Sequence, residues 1–362
     1  MNKNILSGSY PLEDVTFLLK NVNGLIQEKN NEFRENAIQS GIHYSKMLPI
    51  EYHPSEEYMS IFQETLEQSK GKLAELTAIL SEEIIKKRGD KLVLVSLARA
   101  GTPIGILIKR YIKYKYHLDM PHYSISIVRD IGIDENAINY ILKNHPSYEL
   151  QFIDGWTGKG VIQKTLIEAC NKFYEDFNIK LNPDLAVLSD PAYCTDTYAT
   201  REDFLIPSAC LNSTVSGLIS RTVYNKDFIS VEDFHGAKYY VEWESSDVSN
   251  YFVDTVTSEF EKIQKTYYFK KDKTNNKGLE DVLKIQKIYG IDNINLIKPG
   301  VGETTRVLLR RIPWRILVDS LDNPNLRHIY RLAEDRKVKL EIFKDMSYSC
   351  CGIIKPKGLG DI

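Results

Sequence analysis

Between Leu150 and Gly160 the chain reads LQFIDGWTGKG. Leu150, Phe152 and Ile153 form a short apolar strand that ends at Asp154. Gly155 to Gly160 then supply glycines, Thr157 and Lys159 before a helical pattern opens at Val161. A strand that runs through a glycine-rich turn into a helix offers backbone N–H groups and a positive helix end, which together hold anions such as phosphate. The turn is too short for a Walker loop. An ordinary strand-to-helix turn is the alternative, so the neighbouring segments must decide.

Those segments repeat the unit. KLVLVSLARAG, from Lys91 to Gly101, is a continuous apolar run suited to a parallel strand buried on both faces. It ends in Arg99-Ala100-Gly101-Thr102-Pro103 before a helix over Ile104 to Tyr114. Tyr123 to Val128 is a further strand, followed by Arg129-Asp130-Ile131-Gly132 and a helix from about Asp134 to Lys143. After the turn at 155–160 come a helix to Phe177 and a strand over Leu185 to Leu188. Ahead of them, apolar residues from Tyr58 to Ile84 recur at three- and four-residue steps, predicting long amphipathic helical material closed by Gly89 and covering a sheet. A polar helix is expected at 32–40. Strands alternating with helices, with polar loops at their carboxyl ends, specify an α/β, doubly wound, mostly parallel sheet with its site along that edge.

Composition narrows the partners. A chain of 362 residues, 43% hydrophobic and 27% charged, has room for two or three domains; its formal net charge of −2 leaves nucleic-acid binding to a local basic patch. Five cysteines without a C-x-x-C pair suggest a reducing cytoplasm, and the absence of a long apolar run predicts no membrane role.

The order of an apolar strand with LARAG, a strand with a polar segment after it, and FIDGWTGKG resembles type I phosphoribosyltransferases. The resemblance implies binding of phosphoribosyl pyrophosphate with Mg²⁺ and transfer of ribosyl phosphate to or from a nucleobase or nucleoside-like metabolite. It makes Arg99, Ala100, Gly101 and Thr102 the pyrophosphate loop, and Asp154 the ribose and metal contact. Gly155, Thr157, Gly158, Lys159 and Gly160 become the 5-phosphate loop, and Arg129 part of the hood. Arg99, Arg129, Lys159 and Asp154 would then be catalytic. That family usually has two adjacent acids where this chain has Asp154 alone.

Tyr193 to Tyr224 is dense in hydroxyl residues; Ser213, Thr214, Ser216 and Arg221 are candidates for an acceptor subsite, or for helix caps and turns. The whole layout also resembles proteins of tellurite-resistance and stress-linked clusters, often labelled cysteine protease StiP. Cys210, His235 and Asp233 would be a nucleophile, base and orienter, with a small buried cysteine as the alternative.

Lys270 to Gly278, KKDKTNNKG, reads as a linker, dividing the chain into 1–269, with an N-terminal helical extension, and 279–362. The second part predicts helices over Leu279–Tyr289 and around Asn325–Arg336, strands at Ile294–Ile297, Arg315–Val318 and Val338–Ile342, and thus a small three-layer α/β domain. Its KPGVGETTRVLLRR resembles the turn and helix of kink-turn-binding and Pelota-type RNA-binding domains. By position Lys298, Gly300, Gly302, Glu303, Thr304, Arg306 and Arg310 would face structured RNA. A solvated basic helix face, or a binding protein without turnover, are the alternatives.

Overall fold

A computed structural model describes residues 5–30, 33–34, 37–38, 40–264 and 272–356. The polar helix expected at 32–40 lies partly outside these residues, as do Tyr267 to Lys271.

The first domain is built on a parallel sheet of β1 (Thr16–Phe17), β2 (Leu92–Ala98), β3 (His122–Val128), β4 (Glu149–Trp156), β5 (Leu185–Ser189) and β6 (Thr197–Thr200). Its spatial order is β1-β3-β2-β4-β5-β6, and Gly132–Ile133 adds a short antiparallel pairing to β3. The long helix α1 (Glu56–Arg88) starts at Ser55, whose hydroxyl accepts from the Tyr58 N–H, and ends at Gly89, where φ is 73°. Helices α2 (Gly101–Tyr116), α3 (Glu135–Asn144) and α4 (Val161–Phe177) connect successive strands.

The apolar run of β2 is continuous because both of its faces are covered. Leu92 and Leu94 join α1 and α2 through Leu80, Ile84, Ile104 and Ile108. Val93, Val95 and Leu97 join α3 and α4 through Ile138, Ile141, Leu166 and Phe173. Each such side chain, fully buried, contributes roughly 1.5–3 kcal/mol.

Two strands escape a pattern reading. β1 is two residues long and β6 is the polar TYAT, so neither shows a buried strand's run of apolar residues. Helix α2 begins at Gly101, three residues before the expected start.

Beyond α5 (Ser249–Thr257), the second domain contains α6 (Lys277–Tyr289), β7 (Ile297–Pro299), α7 (Val301–Arg310), β8 (Pro313–Val318), α8 (Arg327–Asp335), β9 (Lys339–Ile342) and β10 (Cys350–Ile354). The sheet order is β7-β10-β8-β9. Alternation along β8 sends Leu317 toward Val282 and Ile285 of α6, and Ile316 and Val318 toward Leu308 of α7 and Ile329 of α8. The domain is therefore three-layered, as expected. Among the described residues no helix is long and apolar enough to cross a membrane.

Candidate functional site

In this strand order the chain moves from β2 to β3 on one side, then returns to β4 on the other. The carboxyl ends of β2 and β4 thus flank the crevice where α/β folds place ligands. Both loops singled out from the sequence sit there, and the second domain closes over them.

The loop after β2 is mostly engaged. Arg99 Nη1 donates to both Glu51 oxygens, at 3.0 and 2.7 Å, and to the Ile219 carbonyl at 3.0 Å. Ala100 precedes the first turn of α2. A Cβ on Gly101 would lie 2.3 Å from the Ile153 carbonyl oxygen, so this glycine permits close packing of α2 on β4. Thr102 is buried, with its hydroxyl 2.8 Å from that of Ser124.

The loop after β4 is tied on two sides. Thr157 Oγ1 donates to Asp190 at 2.5 Å. Gly160 takes φ +77° where α4 begins. The Gly158 carbonyl accepts from the Tyr348 hydroxyl at 2.8 Å, and Lys159 Nζ donates to the carbonyls of Ile294 (2.9 Å) and Ile297 (3.3 Å). Tyr348, Ile294 and Ile297 belong to the second domain. Burial, aided by nearby Lys298, lowers the Lys159 ammonium to about 8.

Asp154 is partly buried and accepts from the Gly155 N–H at 2.8 Å. Burial pushes its carboxyl up to about 7, against the opposing pull of Arg306. Burial also works to raise Glu303, but Arg306, Lys298 and Lys159 hold it below the usual carboxylate range.

The turn and helix read as an RNA face meet the first domain instead of standing apart. Arg306 donates to Glu303 at 3.0 Å and to the Ala209 carbonyl at 3.1 Å, and lies over the Trp156 ring. Arg310 donates to Asn212 Oδ1 at 2.5 Å and to the Cys210 carbonyl at 2.6 Å; burial lowers its guanidinium to about 10. A Cβ on Gly302 would come within 3.2 Å of Ala209 and 3.4 Å of Trp156. Gly300 takes φ +89°, and the buried Thr304 donates to the Lys298 carbonyl.

Sequence reading missed the residue that clamps the two domains. Asp203, buried just beyond β6, accepts from the Val301 N–H at the start of α7 and from the Ser349 N–H, both at 2.9 Å. Its only signal was an acid ahead of the apolar FLI. Beside the seam lies a cleft of about 160 Å³ lined by second-domain residues alone: Lys298, Glu303, Arg306, Val307, Arg310, Arg311 and Ile354.

The hydroxyl cluster lies inside the first domain, where Ser213 Oγ and Thr214 Oγ1 have no hydrogen-bond partner. Ser213, Thr214 and Ser216 are buried; the Ser213 N–H donates to Glu51, and Ser216 Oγ donates to the Asn212 carbonyl. Arg221 faces the Tyr44 ring.

The three residues of the thiol reading do not come together. Cys210 is fully buried, which pushes its thiol up to about 12. His235 Nδ1 lies 2.9 Å from Ser126 Oγ, and Asp233 pairs with Lys20 at 2.7 Å. All five cysteines are buried and unbridged.

Fold and site together define a two-domain α/β protein, in which a small RNA-binding-type domain closes the ligand edge of a parallel sheet. The family model described as tellurite-like stress resistance cysteine protease StiP matches residues 8–257, and that of the PELOTA RNA binding domain matches 276–356. The chain belongs to the StiP family. A relative from Acinetobacter baylyi, named "Cysteine protease StiP", is 33% identical over 370 residues, covering 98% of this chain and 95% of its own.

These names overturn the phosphoribosyltransferase activity expected from the two loops, with its phosphoribosyl pyrophosphate and nucleobase substrates. The loops resemble that family's locally, but Thr102, Thr157 and Lys159 are committed to bonds within the chain. The Mg²⁺ expectation was attached to that chemistry. Among the described residues no group of three or more His, Cys, Asp or Glu side chains could hold a metal ion.

Proposed function

We propose that the chain binds structured RNA along the basic cleft of its second domain, beside the seam with the first. The observation that carries this reading is the composition of the cleft, in which Lys298, Arg306, Arg310 and Arg311 face a single acid, Glu303. A chain with a net charge of −2 thus concentrates positive charge at one seam, on the residues of its RNA-binding-type domain. Burial lowers the Lys298 ammonium below its usual range, with only Glu303 among its main influences acting the other way. A polyanion entering the cleft would relieve that repulsion.

The test is the salt dependence of binding to a kink-turn RNA hairpin. Replacing Lys298 and Arg311 together by Ala is expected to weaken affinity and reduce the slope of log affinity against log salt by about 1–2. An unchanged slope would remove these residues from the interface.

The relative's name carries a second reading, cysteine peptidase activity, favoured by similarity along nearly the whole of both chains. Peptide hydrolysis would require one of the buried thiols to become accessible. If this reading holds, a thiol-directed alkylating agent labels one cysteine of the native protein and abolishes casein cleavage in parallel. Native protein that neither takes the label nor cleaves casein would exclude it.

A further inference from the structure

We propose that the ring of Tyr44, with Arg129, Arg221 and His43 around it, forms a site for a phosphate monoester, the terminal phosphate of a bound RNA. This rests on the RNA-binding reading above and gives the cleft an end.

The guanidinium of Arg221 lies 4.7 Å from the centre of the Tyr44 ring and that of Arg129 lies 5.3 Å from it. The Arg129 N–H donates to the Tyr44 hydroxyl at 2.8 Å, fixing the loop after β3 against the ring. Among the described residues no carboxylate pairs with Arg221; the acid beside neighbouring Arg99, Glu51, is taken by Arg99 itself. Burial, and then the charges of Arg34, Arg99 and Arg129, lower the Arg221 guanidinium to about 10. A half-buried cation crowded by other cations is stabilised by an anion.

His43 supplies an independent pointer. Its ring lies 4.5 Å from that of Tyr44, and its Nδ1 is engaged by Ser45, 2.8 Å from Oγ and 3.3 Å from the N–H. Nε2 is buried and has no hydrogen-bond partner. The nearest acid, Asp130, is 3.8 Å from Nε2 and 3.5 Å from Arg129 Nε, and its side chain is 69% exposed. These separations are longer than charge-assisted hydrogen bonds, so Asp130 can swing away when a stronger anion arrives. A monoester fits better than an internal diester, because it carries close to two charges near pH 7 and three acceptor oxygens. The site also adjoins the cleft: Arg129 Nη1 lies 3.4 Å from Asn295 Oδ1 of the second domain, and its charge acts on Lys298 and Lys159.

The experiment compares full-length protein binding to one RNA hairpin carrying a 5′-phosphate, a 3′-phosphate or hydroxyls at both ends. One phosphorylated form is expected to bind about tenfold more tightly than the hydroxyl form. R221Q should bring that ratio close to one. R129Q, at a half-exposed position where loss of folding is not expected, should reduce it as well. Equal wild-type affinity for all three RNAs overturns the site while leaving RNA binding intact. Preference that survives in both variants also overturns it, and no binding of any RNA removes the functional reading and this proposal with it.

Discussion

Asp203→Ala is expected to release the second domain from the first. Its carboxylate joins the first turn of α7 to the Ser349 N–H that precedes β10, within a buried seam. Burial raises this carboxyl to about 7, so its two bonds lie between neutral and charged strength; with the desolvation cost of the two stranded N–H groups, docking should weaken by about 2–5 kcal/mol. Trp156 lies in the same seam beneath Arg306, which makes tryptophan fluorescence a direct reporter. In urea the variant should lose this signal before its main unfolding transition, and its radius of gyration in solution should rise. A variant as compact as wild type, with the same urea midpoint, would show that the contacts of Gly302, Arg306, Arg310 and Tyr348 hold the domains without Asp203.

The second large effect runs the other way. Asp154→Asn is expected to stabilise the protein at pH 8 and to leave it nearly unchanged at pH 5. Burial raises this carboxyl from 3.8 to about 7. The folded chain therefore keeps the proton through a pH window in which the unfolded chain has lost it. The contribution of Asp154 to wild-type stability falls as pH rises from about 4 through 7, because at this group the folded state binds more protons there. An amide resembles the neutral acid and still accepts from the Gly155 N–H, so it avoids that loss. A rise from 3.8 to about 7 corresponds to about 4 kcal/mol at the limit, and water at this partly exposed group leaves on the order of 1–3 kcal/mol. Urea unfolding at the two pH values decides the matter. Destabilisation at pH 8 would mean that ionised Asp154 is held by Arg306 more strongly than burial penalises it.

Both predictions concern the seam, which lies beyond the reach of pattern reading. Arg306 and Arg310 read correctly as basic residues on one helix face, yet their partners are the backbone carbonyls of Ala209 and Cys210. Every residue has such a carbonyl, so no side-chain pattern marks it. The reading of Cys210, His235 and Asp233 as a set failed for a related reason. Closeness in sequence between His235 and Asp233 did not bring their side chains together, since one turns to Ser126 and the other to Lys20. The phosphate-loop reading of Lys159 identified a lysine at a ligand edge and could not foresee that Ile294 and Ile297 supply its acceptors.

By itself the sequence determined the layers. The unbroken apolar run of β2 required cover on both faces, the three- and four-residue steps of α1 required one buried stripe, and the glycines at 158 and 160 required a tight turn ahead of α4, while Gly155, read as part of that turn, continues β4. These are local consequences of side-chain period and backbone sterics. Only the tertiary structure decided how the second domain is seated, that its basic helix turns toward the first, and that Tyr44, Arg129 and Arg221 meet. Residues far apart in the chain meet through the packing of whole elements, and no local spacing records that geometry.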